Sequence, residues 1–194
     1  MFKLLLYPVS AIYGLIISIR NLMYDYKIFQ STEFEIPVIS IGNITVGGTG
    51  KTPHTEYLVE LLRKQFRITT ISRGYKRKTK GYQEVEVNSL AATVGDEPLQ
   101  IKTKFHDVQV VVDEKRVHAI KKIQKQETSQ LPDVILLDDA FQHRSVSAGI
   151  NILLIDFNRP IDKDQLMPVG RLRESKWQMR RANVIIYTKC PQEI

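Results

Sequence analysis

The sequence has a single cysteine in 194 residues. Cys190 therefore has no partner for an intrachain disulfide, and a zinc site built from several thiolates is excluded, which suits a reducing compartment. The chain also lacks internal repeats and low-complexity tracts. Aromatics are scarce where a nucleic-acid surface would need them. The basic run from Arg73 to Lys80 carries only Tyr75, and no RNA- or DNA-binding module is recognisable, so nucleic acid is not an expected partner. His54, His106 and His118 have no metal-ligand spacing. A long hydrophobic run is missing too. The longest uncharged stretch near the N-terminus, between Lys3 and Arg20, has sixteen residues. As a helix it covers about 24 Å, short of the roughly 30 Å hydrocarbon core of a bilayer. Pro8, Ser10, Gly14 and Ser18 dilute it further, and no small-residue cleavage site of a signal peptide follows. An interfacial helix fits better, flanked by Lys3, Arg20 and Lys27, with Tyr7, Tyr13 and Tyr24 at headgroup depth. A helix packed on the protein's own core is the alternative, because pattern alone separates the two poorly.

What remains is ordinary in amount and specific in arrangement. The chain is 43% hydrophobic and 25% charged, a globular composition with enough length for one substantial core or one domain plus an appendage. A net charge of +7 favours anionic partners such as acidic headgroups or phosphorylated substrates. An apolar stretch, Ile36 to Ile41, reads as a buried strand. It runs into Gly42-Asn43-Ile44-Thr45-Val46-Gly47-Gly48-Thr49-Gly50-Lys51-Thr52, and Thr55 to Phe66 then repeats Tyr57, Leu58, Leu61 and Leu62 at helical spacing. Strand, glycine-rich loop, Gly-Lys-Thr and helix together form the context of a phosphate-binding loop. Glycines let successive N–H groups converge on phosphate oxygens, and the helix N-terminus adds partial positive charge. Residues 45–52 (Thr45, Val46, Gly47, Gly48, Thr49, Gly50, Lys51 and Thr52) are the expected nucleotide-binding set. Lys51 reaches the β- and γ-phosphates and the Thr52 hydroxyl ligates magnesium. The usual glycine five residues before Gly50 is Thr45 here.

Further strands are expected at Ile68–Ser72, Gln83–Val87, Val108–Val112, Asp133–Leu137, Ile152–Ile155 and Val184–Ile186. Helices are expected from Gly95-Asp96-Glu97-Pro98 to about Lys104, over Glu114–Gln126 and over Arg171–Arg181. Near-continuous apolar strands alternating with helices indicate an α/β fold, a mostly parallel sheet covered on both faces. In such sheets ligands lie beyond the carboxyl ends of the strands, where the glycine loop, Arg73 and Asp138-Asp139 fall. A carboxylate at Asp138 or Asp139 suits magnesium bound to phosphate. The pair Asp96 and Glu97 reads equally as a helix cap or as the source of a general base for an alcohol acceptor. His143 is more simply a loop residue than a phosphate ligand.

Four segments agree on one family: the loop through Pro53, Ser72-Arg73-Gly74-Tyr75, Gly95-Asp96-Glu97-Pro98 and Asp138-Asp139-Ala140-Phe141-Gln142-His143-Arg144. In this order they resemble tetraacyldisaccharide 4'-kinase, the lipid A 4'-kinase of Gram-negative bacteria. Pro168-Val169-Gly170-Arg171-Leu172-Arg173-Glu174 is similar to a further segment of that family, and the uncharged N-terminal stretch to its membrane-associated helix. The resemblance implies a P-loop NTPase-like fold and transfer of the ATP γ-phosphate to the 4'-hydroxyl of tetraacyldisaccharide 1-phosphate, giving lipid IVA. It also implies ATP and Mg2+ as cofactors and a peripheral location on the cytoplasmic face of the bacterial inner membrane. By the same resemblance Lys51 and Asp96 are catalytic, Thr52, Asp138 and Asp139 serve the metal, and Arg73 and Arg171 contact substrate. Residues 1–27 are then the interfacial helix and 28–194 the nucleotide-binding domain.

Two departures stand out. Alanine occupies position 140, where the family has a glycine, and would resist a positive φ there. Family members are also substantially longer, so the chain is expected to match their N-terminal part without a second α/β domain. The rival readings are a catalytically incomplete ATP- and lipid-binding fragment and a membrane-associated ATPase switch. The signature lysine of such switches is replaced by Val46. A GTPase would want an aspartate after Thr188-Lys189, where Cys190-Pro191 stands instead.

Overall fold

The structure, a computed structural model, describes residues 2–191. Its centre is a seven-stranded sheet in the order β3-β4-β2-β5-β1-β6-β7. The strands are β1 (Val38–Gly42), β2 (Ile68–Ser72), β3 (Gln83–Glu84), β4 (Gln109–Val112), β5 (Val134–Leu137), β6 (Ile150–Asp156) and β7 (Val184–Thr188). All pairings are parallel except β3 with the edge of β4. This is the mostly parallel α/β sheet expected from the run of apolar segments.

Alternate residues of each strand enter opposite cores, as the two-residue period of a strand requires. Val110, Val112 and Leu136 pack under α2 (Lys51–Leu62), α3 (Ala91–Val94) and α4 (Asp96–Lys104). Val111, Ile135 and Leu137 pack against α5 (Arg116–Ile123), whose Ala119, Ile120 and Ile123 are fully buried. Each such isoleucine contributes about 1.5–3 kcal/mol. β1 lies between β5 and β6, and the chain leaves it in one direction to build β2 and later fills the other side with β6 and β7. The carboxyl end of β1 is thus the point where strand order reverses, the place where open sheets of this kind bind ligands.

The segment expected as a helix over Arg171–Arg181 is different. Only Lys176–Arg181 coils, as a 3-10 turn. The preceding residues are extended against the glycine loop: the Val46 N–H donates to the Arg171 carbonyl and the Arg173 N–H to the Ile44 carbonyl, both at 2.8 Å. Thr45 bridges Leu172 in antiparallel fashion. Backbone pairing with a neighbouring loop has overridden a helix-compatible composition.

Helix α1 (Phe2–Asp25) is amphipathic the wrong way round for a core element. Leu4, Leu5, Tyr7, Val9, Ile12, Leu15, Ile16, Ile19 and Leu22 are all exposed. Ser10 and Asn21 are buried against the protein. The Ser10 hydroxyl donates to the Leu166 carbonyl (2.9 Å), the Tyr13 hydroxyl to the Arg173 carbonyl (2.6 Å) and the Arg20 guanidinium to the Gln142 carbonyl (2.7 Å). A Cβ at Gly14 would lie 2.7 Å from Leu166 Cδ1, so glycine permits this close docking. The core-packed alternative does not describe this helix: its polar face is the one that docks.

A buried carboxylate fastens α1 to the rest. Glu174 accepts from Gln142 Nε2 (2.7 Å), Asn21 Nδ2 (3.3 Å) and Arg181 Nη2 (2.7 Å). Burial lowers the Arg181 pKa, and Glu174 opposes that shift. Replacing Glu174 with glutamine keeps the shape and an acceptor but leaves the half-buried guanidinium without its counter-ion. We expect a loss of about 2 kcal/mol, read as a thermal midpoint lower by about 4–8 °C for a chain of this size. An unchanged midpoint would mean that solvent already screens the pair.

Candidate functional site

The glycine loop connects β1 to α2. Gly47 and Gly50 have φ of 115° and 82°, values that side-chain-bearing residues rarely adopt. A Cβ at Gly42 would sit 2.7 Å from Phe141 N and Cβ, so the loop leaves β1 in direct contact with the turn after β5. Thr49 is buried, with its hydroxyl accepting from Asn43 Nδ2 at 2.7 Å. Lys51 begins α2, earlier than the apolar spacing suggested. Its ammonium is 3.6 Å from Asp139 Oδ1.

Asp138 and Asp139 follow β5 directly and do different work. Asp138 is buried; its Oδ1 accepts from the Thr55 hydroxyl (3.2 Å) and from the Asp139 N–H (2.9 Å). Burial pushes its carboxyl up to about 6, with the charges of Glu97 and Asp139 adding to the rise and Lys51 opposing it. Asp139 has φ 47°, a left-handed conformation that aspartate tolerates. The positive φ in this turn thus falls on Asp139 and not on Ala140, which packs in the core beside Ile135 and Leu137. Asp139 accepts from Arg173 Nη1 at 2.9 and 3.2 Å. One carboxylate therefore meets both the lysine of the loop and an arginine of the next cavity.

That cavity, about 250 Å³, is lined by Tyr13, Ile17, Arg20, Arg73, Arg116, Asp139, Gln142, His143, Met167 and Arg173. Four arginines against one aspartate give it a positive lining of the chemistry that suits an anion. Arg116 is fully buried, bonded to the Asp113 carbonyl at 2.5 Å and the Asp138 carbonyl at 3.4 Å, and its Nε has no partner. Burial lowers its pKa to about 10, so it stays charged at neutral pH. Burial lowers the His143 imidazole to about 4, with Arg116 pushing the same way. His143 therefore faces the cavity uncharged.

The remaining expected residues are distributed unevenly. Arg73 lines the cavity. Arg171 does not; its backbone pairs with the loop, and Arg173, two residues on, supplies the guanidinium. Asp96 is exposed at the start of α4, where it lines a separate surface hollow with Leu99, Gln100 and Lys104, and Glu97 beside it acts on the Asp138 charge. The basic turn and α4 touch through glycine: a Cβ on Gly95 would lie 3.0 Å from Gly74 Cα, and one on Gly74 2.6 Å from the Val94 carbonyl. Tyr13 and Arg20, expected at the membrane interface, instead face this cavity, bonded to the Arg173 and Gln142 carbonyls, and sequence reasoning missed Arg116 and Arg173. Arg173 lay inside a recognised segment, whereas Arg116 opens an amphipathic helix, where a basic residue reads as solvent-facing.

The family model for tetraacyldisaccharide-1-P 4'-kinase matches residues 2–194. The chain belongs to that family. Among curated tetraacyldisaccharide 4'-kinases it is 51% identical to one from Phocaeicola vulgatus and 52% identical to one from Bacteroides fragilis, each over 97% of this chain. Those alignments cover 52% and 50% of the relatives, so the chain spans about half the length of the curated kinases it matches. Among solved structures it resembles an "apo"-form LpxK from Aquifex aeolicus in complex with ATP, with TM-score 0.88 and 38% identity over 97% of this chain and 59% of that one. The family's mostly parallel α/β sheet is thus the fold seen here.

Proposed function

We propose that the chain carries the nucleotide site and part of the acceptor site of a lipid A 4'-kinase. The observation that carries this reading is Asp139, whose carboxylate joins Lys51 of the glycine loop to Arg173 of the arginine-lined cavity. A phosphoryl donor and an anionic acceptor bound in these two places would meet at one carboxylate. The ATP bound by the Aquifex aeolicus relative supports placing nucleotide at residues 45–52, with Lys51 on the β- and γ-phosphates.

Magnesium fits the donor set. The Thr52 hydroxyl and the carboxylates of Asp138 and Asp139 are hard oxygens, of which one or two suffice where phosphate is also bound. That leaves most coordination positions to phosphate oxygens and water, as magnesium prefers. Bound there, the ion would neutralise charge on the transferring phosphate. The remaining steps belong to this chain's own groups. Asp96 accepts the proton of the acceptor 4'-hydroxyl, the 4'-oxygen so freed forms a bond to the γ-phosphorus, and the bond from that phosphorus to the β–γ bridging oxygen breaks. ADP leaves with that electron pair. Arg73, Arg116, Arg173 and Arg20 hold the anionic end of the tetraacyldisaccharide 1-phosphate, and Arg171 braces the loop. The deciding experiment is transfer of label from γ-labelled ATP to tetraacyldisaccharide 1-phosphate in mixed micelles, by a chain extended to the relatives' length. Labelled inorganic phosphate without labelled lipid would favour an ATPase switch instead.

The outward apolar face of α1 supports a peripheral membrane location, with residues 1–27 as the interfacial unit and 28–194 as the nucleotide-binding unit. The same helix contributes Tyr13, Ile17 and Arg20 to the cavity, so deleting it would remove binding groups as well as an anchor. Glutamates at Leu5, Ile12 and Ile19 test the face alone. The triple variant should bind anionic phosphatidylglycerol vesicles at least about 100-fold more weakly, since each aliphatic side chain is worth about 1.5–3 kcal/mol when buried. MgATP affinity should not change. Equal vesicle partitioning by variant and parent would remove the membrane assignment.

A further inference from the structure

Behind the glycine loop is an arrangement that the phosphate chemistry does not use. Lys189 follows β7 with φ 57°, a conformation that costs a lysine roughly 1–2 kcal/mol and persists only where contacts hold it. The contacts are present. Its ammonium donates to the Gly48 carbonyl at 2.5 Å and to Asp156 Oδ2 at 2.9 Å. Asp156 ends β6 and is buried, and the Lys189 ammonium holds its carboxyl below the usual range. The buried Thr188 hydroxyl donates to the Thr49 carbonyl at 3.0 Å. Two consecutive carbonyls of the loop are therefore tied to the ends of β6 and β7.

The carbonyl and N–H of a planar trans peptide point in opposite directions. Tying the Gly48 carbonyl to Lys189 turns the Thr49 N–H away from it, where it closes on the Gly47 carbonyl at 3.1 Å. Tying the Thr49 carbonyl to Thr188 turns the Gly50 N–H away from β7. From the other flank Asn43 holds the Thr49 hydroxyl.

We propose that Thr188 and Lys189, the latter anchored by Asp156, are positioning residues that hold the phosphate-binding loop in its anion-receiving shape before nucleotide arrives. This rests on the reading of the loop as an ATP site. Released from the clamp, the loop must be ordered by the nucleotide itself, and part of the binding free energy is lost to that ordering.

The test is calorimetric titration of the 194-residue chain with MgATP. Thr188→Val, Lys189→Met and Asp156→Asn should each weaken binding by about tenfold, the scale of one intramolecular hydrogen bond. The double variant Lys189→Met/Asp156→Asn should be little worse than either single one, because one chain of contacts is cut twice. Thr188→Ser, which keeps the hydroxyl, should recover most of the affinity that Thr188→Val loses. Asp156→Asn is the discriminating arm. If Lys189 acted only as a positive charge beside the phosphates, freeing it from Asp156 would leave ATP binding unchanged or tighter, and that result overturns the clamp. If Asp156→Asn does not fold, the Thr188→Val and Thr188→Ser pair decides, and equal affinities overturn it. No MgATP binding by the parent chain removes the ATP reading and the clamp with it. Parental binding that is lost in Lys51→Ala but normal in every clamp variant removes the clamp alone.

Discussion

Replacing Lys51 with alanine should weaken MgATP binding by roughly 30- to 1,000-fold, the equivalent of about 2–4 kcal/mol for a lost ammonium–phosphate contact. The structure gives reason to expect that the loss falls on binding and not on folding. The Lys51 ammonium lies 3.6 Å from Asp139, the looser of two contacts, and Arg173 at 2.9 Å remains to satisfy that carboxylate. A thermal midpoint within a few degrees of the parent, together with the weakened titration, is the expected pair of results. Parental affinity in the variant would sink the assignment of residues 45–52 to nucleotide. A preference for GTP over ATP would overturn only the choice of base.

The second large effect concerns Asp96. In a chain of the relatives' length, Asp96→Asn should leave fold and MgATP affinity intact and lower transfer to tetraacyldisaccharide 1-phosphate by roughly 10²–10⁴, the usual worth of a positioned base. The side chain is exposed in the first turn of α4 and has no hydrogen-bond partner among the described residues, so asparagine should be accepted there without strain. Glu97 is the competing carboxylate, since its charge acts on Asp138. A collapse of transfer in Glu97→Gln with near-parental rates in Asp96→Asn would move the base by one residue. Parental rates in both would return the pair to a helix cap. Asp138→Asn should behave differently again, by shifting the magnesium requirement as well as the rate.

How much of this was legible beforehand depends on which physical signal each element carries. The strands were readable because parallel strands buried on both faces are almost wholly apolar, as in Val134–Leu137. The glycine loop was readable because Gly-Lys-Thr adds chemistry to a turn. Thr45 in place of the usual glycine is accounted for by its bridge to Leu172. That bridge also explains the failure at Arg171–Arg181, since a partner more than a hundred residues away leaves no local mark. Apolar spacing in α1 was visible, but the direction it faced was not. Ser10, Gly14 and Asn21 look like dilution of a hydrophobic helix until one sees that they form its docking face. Arg116 was hidden for the opposite reason: it is a charged residue in a position where charge normally means solvent.

The contact between Gly74 and Gly95 has a mechanical meaning. With no Cβ on either side, the basic turn after β2 and the first turn of α4 meet backbone to backbone, with the Arg77 stem packed alongside. They form one part. Arg73 cannot be moved to suit a different headgroup without carrying Asp96 and Glu97 along, and a shift in α4 re-aims the arginine. A designer wishing to change what the cavity accepts would do better to leave that joint alone and work from the opposite wall, where Tyr13 and Ile17 reach in from a helix that is fastened separately.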